Sequence, residues 1–174
     1  MKILTCTVIL SGAILMQGCI VKSGQLSTLI NLAQRPDKVL SQNAWIVNYK
    51  NYQSIVYAVN ISEGTLFVNA AGDQILFDGW TVRRISGLGR RGLDIKINEA
   101  DGVRTFKQGI SVIASHVCQQ WERYIHDNKV SLSQNCIDRR DYTNSILILG
   151  DGSISVIHQI VDDRYTPLTL TKVK

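Results

Sequence analysis

The sequence predicts a mainly β protein, an antiparallel meander preceded by a short N-terminal helix. Three observations carry that prediction. Short segments rich in aromatic and β-branched residues recur at a spacing of about eight to twelve residues. Glycine-containing turn signals punctuate them. No segment of helical period alternates with them, which argues against a parallel α/β sheet.

The elements follow in chain order. Leu26, Leu29, Ile30 and Ala33 share one face at helical spacing, so a helix is expected over 25–34, and Pro36 stops it. Residues 45–49, 54–59 and 65–69 then read as strands, with Glu63-Gly64 and Ala71-Gly72-Asp73 as turns. Residues 74–77 run into Asp78-Gly79, a tight-turn signal, and a strand is expected over 80–85. Residues 93–98 and 103–108 flank Ala100-Asp101-Gly102, another hairpin, and 110–117 continue the series. Residues 145–149 and 153–160 flank Gly150-Asp151-Gly152, and 166–173 form a last strand. The stretch 119–141 has no clear period, and a structured loop over one end of the sheet is expected there. With no repeat, low-complexity run or linker, 25–174 reads as one domain.

The first nineteen residues give the address. Lys2 supplies a positive start, residues 3–16 an apolar run, and Gly18-Cys19 a small residue before a thiol. The run is short of the roughly 20 apolar residues of a membrane span. The ending Leu15-Met16-Gln17-Gly18-Cys19 resembles a bacterial lipoprotein signal. That resemblance implies cleavage before Cys19, a diacylglycerol on its sulfur and added acyl chains such as palmitate. The competing reading is an ordinary signal peptide with a chance cysteine. Residues 1–18 are thus the expected signal peptide and 19–24 a lipid-anchored tether. In enterobacterial lipoproteins an aspartate after the cysteine favours the inner membrane, so Ile20 implies the outer membrane, on its periplasmic face.

Charge and cysteines sort by position. The formal net charge is +5, and Lys2 is the one charge lost with residues 1–18. Arg83, Arg84, Arg90 and Arg91 fall within nine residues, and Arg139-Arg140 follow. In a membrane-attached exported protein such a patch meets phospholipid, lipopolysaccharide or acidic glycan rather than nucleic acid. The competing reading is arginines that solvate strand edges and deter edge pairing. Cys6 leaves with the signal peptide and Cys19 is the anchor, so Cys118 and Cys136 remain as an even pair in an oxidising compartment. A structural disulfide is expected, with two buried free thiols as the alternative.

Catalytic signatures are missing. Gly87, Gly89 and Gly92 satisfy G-x-G-x-x-G, but the residues after them alternate like a strand, so glycines making a sharp bend are expected. There is no G-x-S-x-G elbow, and His116, His126 and His158 have no spacing that orients one onto a nucleophile. No short-range ligand spacing suggests a metal. The expectation is no catalytic residue, no metal and no cofactor.

Two segments carry a resemblance to a family. Gln74-Ile75-Leu76-Phe77-Asp78-Gly79-Trp80-Thr81-Val82-Arg83-Arg84-Ile85-Ser86-Gly87-Leu88 is similar to a family strand–turn–strand that ends in Gly-Leu. Ser145 to Ile154, with Gln159-Ile160 and Pro167-Leu168, resembles the family's closing strands, and Cys118-Gln119-Gln120-Trp121 falls where members carry a Cys near a Trp. The family is the YjbF/GfcB lipoproteins of group 4 capsule and related exopolysaccharide export. It implies a curled, half-barrel-like antiparallel sheet. It also implies a non-catalytic accessory role in polysaccharide export or surface assembly. The expected partners are the membrane, through the acyl anchor, polysaccharide or lipid, and export-machinery proteins. The alternative is a carrier or sensor that binds a lipid or other apolar ligand in the concave face of the sheet.

Overall fold

A computed structural model describes residues 43–174. Cys19, the tether and the helix expected over 25–34 lie outside the described residues. The strands are β1 (Ala44–Tyr49), β2 (Tyr52–Ile61), β3 (Gly64–Val68), β4 (Gln74–Phe77), β5 (Val82–Ser86), β6 (Asp94–Ala100) and β7 (Val103–Gln108). They continue as β8 (Ser111–Cys118), β9 (Glu122–His126), β10 (Lys129–Ile137), β11 (Asp141–Ile148), β12 (Ile154–Ile160) and β13 (Pro167–Lys172). Every pairing is antiparallel.

The sheet is a closed barrel of twelve strands, where a half-barrel was expected. Neighbouring strands pair from β1 to β8, β10 follows β8, and β10–β11 pairing joins the meander to β12, β13 and back to β1. Closure removes the two open edges that a half-barrel would leave unpaired. β9 stands outside the ring, paired with β10 alone.

The stretch 119–141, expected as a loop, holds two strands and the start of a third. β9 and β10 form a hairpin around Asp127-Asn128, whose φ values of 45° and 59° suit a two-residue turn. Its period was hidden for a physical reason. β9 is exposed along its whole length, and β10 turns Leu132, Gln134 and Cys136 inward, one of them a polar amide.

The ring closes through a narrow seam. β8 meets β10 in register only at Cys136↔Cys118 and Ile137↔Val117. The expected disulfide is present there, joining Cys118 and Cys136 directly across the two strands.

Alternate residues fill the interior. Val47, Val56, Phe67, Ile75, Ile85, Phe106, Ile146, Ile157, Leu168 and Leu170 are all buried in one cluster. Part of the interior is polar. Arg104 is fully buried, its Nη1 3.1 Å from Glu99 Oε2 and its Nη2 2.8 Å from Gln159 Oε1. Gln134 Nε2 donates to Glu99 Oε1, and its Oε1 accepts from Asn144 Nδ2 at 3.1 Å. Asn144 Oδ1 in turn accepts from Ile160 N at 2.9 Å. These bonds connect β6, β7, β10, β11 and β12 across the barrel.

Antiparallel pairing sorts the turns onto two rims. Ala44, where the described chain enters the barrel, shares the entry rim with the turns at 62–63, 78–81, 101–102, 127–128 and 149–153. The far rim carries 50–51, 69–73, 87–93, 109–110, 138–140 and 161–166.

Candidate anion-binding cleft at the far rim

The G-x-G-x-x-G stretch is a bend, as expected. Gly87, Gly89 and Gly92 have φ of 78°, 70° and 75° in the connection between β5 and β6. Gly89 also lacks room for a side chain, since a Cβ there would collide with the Tyr52 ring. Buried Asp73 organises this rim. Its Oδ1 accepts from Leu88 N at 2.6 Å, while its Oδ2 accepts from Tyr52 Oη and Asn69 Nδ2. The bend is thereby pinned to β2 and to the β3–β4 turn, and Arg90 and Arg91 project from its exposed part.

Those two arginines line a cleft of about 190 Å³ with Tyr49, Lys50, Asp162, Asp163 and Arg164. Three separate connections supply the charges. Lys50 comes from the β1–β2 turn, Arg90 and Arg91 from the β5–β6 bend, and Asp162, Asp163 and Arg164 from the β12–β13 loop.

Asp162 is the organising group. Its side chain is 3% exposed, and Lys50 Nζ lies 3.1 Å from its Oδ2. Tyr49 Oη donates to Oδ2 at 3.0 Å, while Arg164 N and Thr166 N donate to Oδ1 at 3.0 and 2.8 Å. Burial pushes the Asp162 carboxyl up, but the bonds from Thr166, Lys50 and Tyr49 outweigh it and hold the carboxyl below its ordinary value. Asp162 is ionised and saturated with donors, and it neutralises Lys50.

What remains is cationic. Among the described residues, no ion pair engages Arg90, Arg91 or Arg164. Four cations against two carboxylates leave a formal excess of two positive charges around the cleft. The Arg139-Arg140 pair joins the same rim. Arg140 lies over the Tyr165 ring at 4.0 Å and donates to Arg164 O at 3.3 Å, which supports the loop that presents Arg164. The cleft is smaller than the roughly 300 Å³ at which drug-sized sites begin, so it suits a compact group. A carboxylate, sulfate or phosphate fits by size and charge.

The four arginines grouped by sequence are not brought together. Arg83 donates to Asn98 Oδ1 at 2.9 Å and lies 3.6 Å from Asp78, and Arg84 pairs with Asp94 at 2.8 Å. Both sit on β5, which pairs with β4 on one side and β6 on the other and so is not a sheet edge, and their charges are met by neighbouring side chains. Arg90 and Arg91 alone reach the cleft. Sequence reasoning missed Lys50, Tyr49, Asp162, Asp163 and Arg164, which come from two segments more than a hundred residues apart and carry no shared local pattern.

His116 belongs to a different cluster. It is buried against Phe106, stacks on Tyr165 with centroids 5.3 Å apart, and places Nδ1 2.7 Å from the Tyr142 hydroxyl. His126 is exposed beside Asp127, and His158 lies 2.9 Å from Thr169 Oγ1. Among the described residues, no group of three or more metal-ligating side chains occurs. No helix among them is long and apolar enough to cross a membrane.

Comparison of the chain with family models, with curated proteins and with solved structures returns no match.

Proposed function

We propose that this protein is a non-catalytic lipoprotein of the outer membrane, anchored through Cys19 and facing the periplasm, that assists capsule or exopolysaccharide export or surface assembly. The observation that carries the proposal is the far-rim cleft, where Arg90, Arg91 and Arg164 converge without partners among the described residues. An acidic polymer repeats its charged substituent, so a compact cationic cleft suits one substituent at a time. The lipobox-like ending at Cys19 and the resemblance to the YjbF/GfcB segments support the address and the process.

The cleft lies on the rim opposite the point where the described chain enters the barrel, at Ala44. With the anchor on the N-terminal side of Ala44, the far rim can point away from the membrane toward a polymer or a partner in the periplasm.

Two experiments test the reading. Deleting the gene where the export system is expressed is expected to lower surface polysaccharide, and unchanged polysaccharide rejects the role. In a pull-down on an immobilised uronic-acid polysaccharide, Arg90→Ala/Arg91→Ala is expected to weaken retention about tenfold and flatten its salt dependence. Retention equal to the parent protein's removes the cleft from the proposal.

A further inference from the structure

The entry rim carries a pair of tryptophans in contact. Trp80, at the tip of the β4–β5 turn, is 51% exposed. Trp121, in the short connection between β8 and β9, is half-buried, and the two ring centroids lie 6.0 Å apart with planes inclined at 52°. Sequence pattern placed Trp80 in a strand. The structure places it before β5, because Asp78 Oδ1 accepts from Trp80 N at 2.9 Å and Thr81 N at 2.7 Å and folds the chain into a turn.

Buried amides hold the backbone at Trp80 and at Gln119, two residues before Trp121. Gln159 Nε2, from β12 on the other side of the sequence, donates to Trp80 O at 2.7 Å. Gln159 Oε1 accepts from Val82 N at 3.0 Å, so one buried side chain clamps the turn on both flanks of Thr81. On the other side, Gln134 Nε2 donates to Gln119 O at 3.1 Å, and Gln119 N donates to Asn135 O at 2.8 Å. The Cys118–Cys136 disulfide closes the same corner. An exposed indole costs hydrophobic free energy, and nothing in the core requires Trp80 to be a tryptophan. A rigid backbone presenting two rings is the arrangement of a preorganised binding surface.

The polar groups beside the rings decide the ligand class. Glu99 is 18% exposed, and Thr81 Oγ1 lies 3.5 Å from its Oε2. A carboxylate near two tryptophans would suit a cation. Here that charge is already cancelled, because Glu99 pairs with buried Arg104 at 3.1 Å and accepts from Gln134. The floor is therefore polar but neutral. It offers amide and carboxylate oxygens beside an inclined pair of apolar faces.

We propose that Trp80 and Trp121 form a binding subsite for a neutral saccharide. The apolar faces of pyranose rings stack on the indoles, and ring hydroxyls bond to Glu99 and Gln119. The subsite deepens the polysaccharide reading, since it names a neutral sugar segment as ligand. It stands on a different rim from the cationic cleft, so the two fail separately.

The test is titration of the folded chain lacking residues 1–18, with Cys19→Ser, against maltohexaose, cellohexaose, chitohexaose and mannohexaose. Tryptophan fluorescence and calorimetry give the readout. At least one oligosaccharide is expected to bind with millimolar or tighter affinity. Trp80→Ala and Trp121→Ala should each weaken that binding about tenfold, Trp121→Phe should restore most of it, and Arg90→Ala/Arg91→Ala should leave it unchanged. Thermal melts of each variant separate lost binding from lost folding, and Trp80→Ala, at an exposed ring, is expected to melt with the parent. No binding by any of the four sugars overturns the proposal. So does binding that survives both alanine substitutions, or tighter binding of choline chloride than of every sugar.

Discussion

At the scale of single residues, His116 shows how burial converts a titratable side chain into a pH-dependent term. Desolvation lowers its pKa from the ordinary 6.5. Asp138, whose Oδ2 lies 3.8 Å from Nε2, and Asp163 oppose the shift, while Arg104 adds to it. Tyr142, with its pKa raised to about 12 chiefly by burial, stays protonated beside it. A histidine whose pKa is depressed on folding binds its proton more readily in the unfolded chain. Its contribution is therefore intact above the ordinary value of 6.5 and is lost as pH falls from there through the folded pKa. Stability measured by urea unfolding is expected to decline between about pH 7 and pH 5, with a shallower decline in His116→Phe. Asp162, depressed for the opposite electrostatic reason, acts in a more acidic window, below its ordinary 3.8. The two residues can thus be told apart by pH alone, and equal slopes for parent and His116→Phe would rule out this assignment.

At the scale of elements, the β9–β10 hairpin depends on the corner that closes the barrel. Its outer strand is exposed at every position, so β9 buries little apolar area to offset the entropy of ordering it. β10 is better held, since it pairs with β11 from Val130 to Ile137. The disulfide links residues 18 apart in sequence and restrains the unfolded chain across this whole excursion. The sequence predicts a loop between the two cysteines, whereas in the structure the bond staples β8 to β10 at the point where they meet. Removing it by Cys118→Ala/Cys136→Ala is expected to cost about 3 kcal/mol in denaturant unfolding. Amide exchange should quicken first in β9 and in β8 near Cys118, with β1 and β13 least affected. A double variant as stable as the parent would show that the seam is held by strand pairing alone.

At the scale of the whole molecule, a buried polar network fixes which strands meet. Arg104, Glu99, Gln134, Asn144 and Gln159 lie on five different strands and bond to one another inside the barrel, with Arg104 Nε alone among the guanidinium nitrogens left without a partner. A one-residue slip of β10 would turn Gln134 outward, leaving Glu99 and Asn144 without a partner it now supplies. Such a network stabilises a particular register more than it stabilises folding as such, because the cost of desolvating the ions offsets much of their attraction. Arg104→Ala, which strands Glu99, is expected to cost about 3–5 kcal/mol, whereas Arg104→Met/Glu99→Met should cost markedly less. Chemical denaturation of both variants checks this. A double variant as damaged as the single one would contradict a desolvation origin.

The sequence by itself determined the fold class and most of the strand order. Strands alternate at period two, and turns need glycine or Asx residues at positive φ, so both leave local marks. Asp101-Gly102, with φ of 52° and 73°, was legible for that reason. The even cysteine pair also led directly to the Cys118–Cys136 bond. Tertiary structure alone decided that the sheet closes, because closure rests on β8 reaching β10 through two residue pairs that no local pattern announces. It also decided which strands lay hidden in 119–141, since an inward Gln134 reads as polar until Glu99 and Asn144 stand beside it. The candidate site divides in the same way. Arg90 and Arg91 are neighbours in sequence and were read as cationic, whereas Lys50, Asp162 and Arg164 reach them only because antiparallel strands return their turns to one rim. Local sequence encodes what each segment prefers, and long-range pairing decides which charges share a cleft.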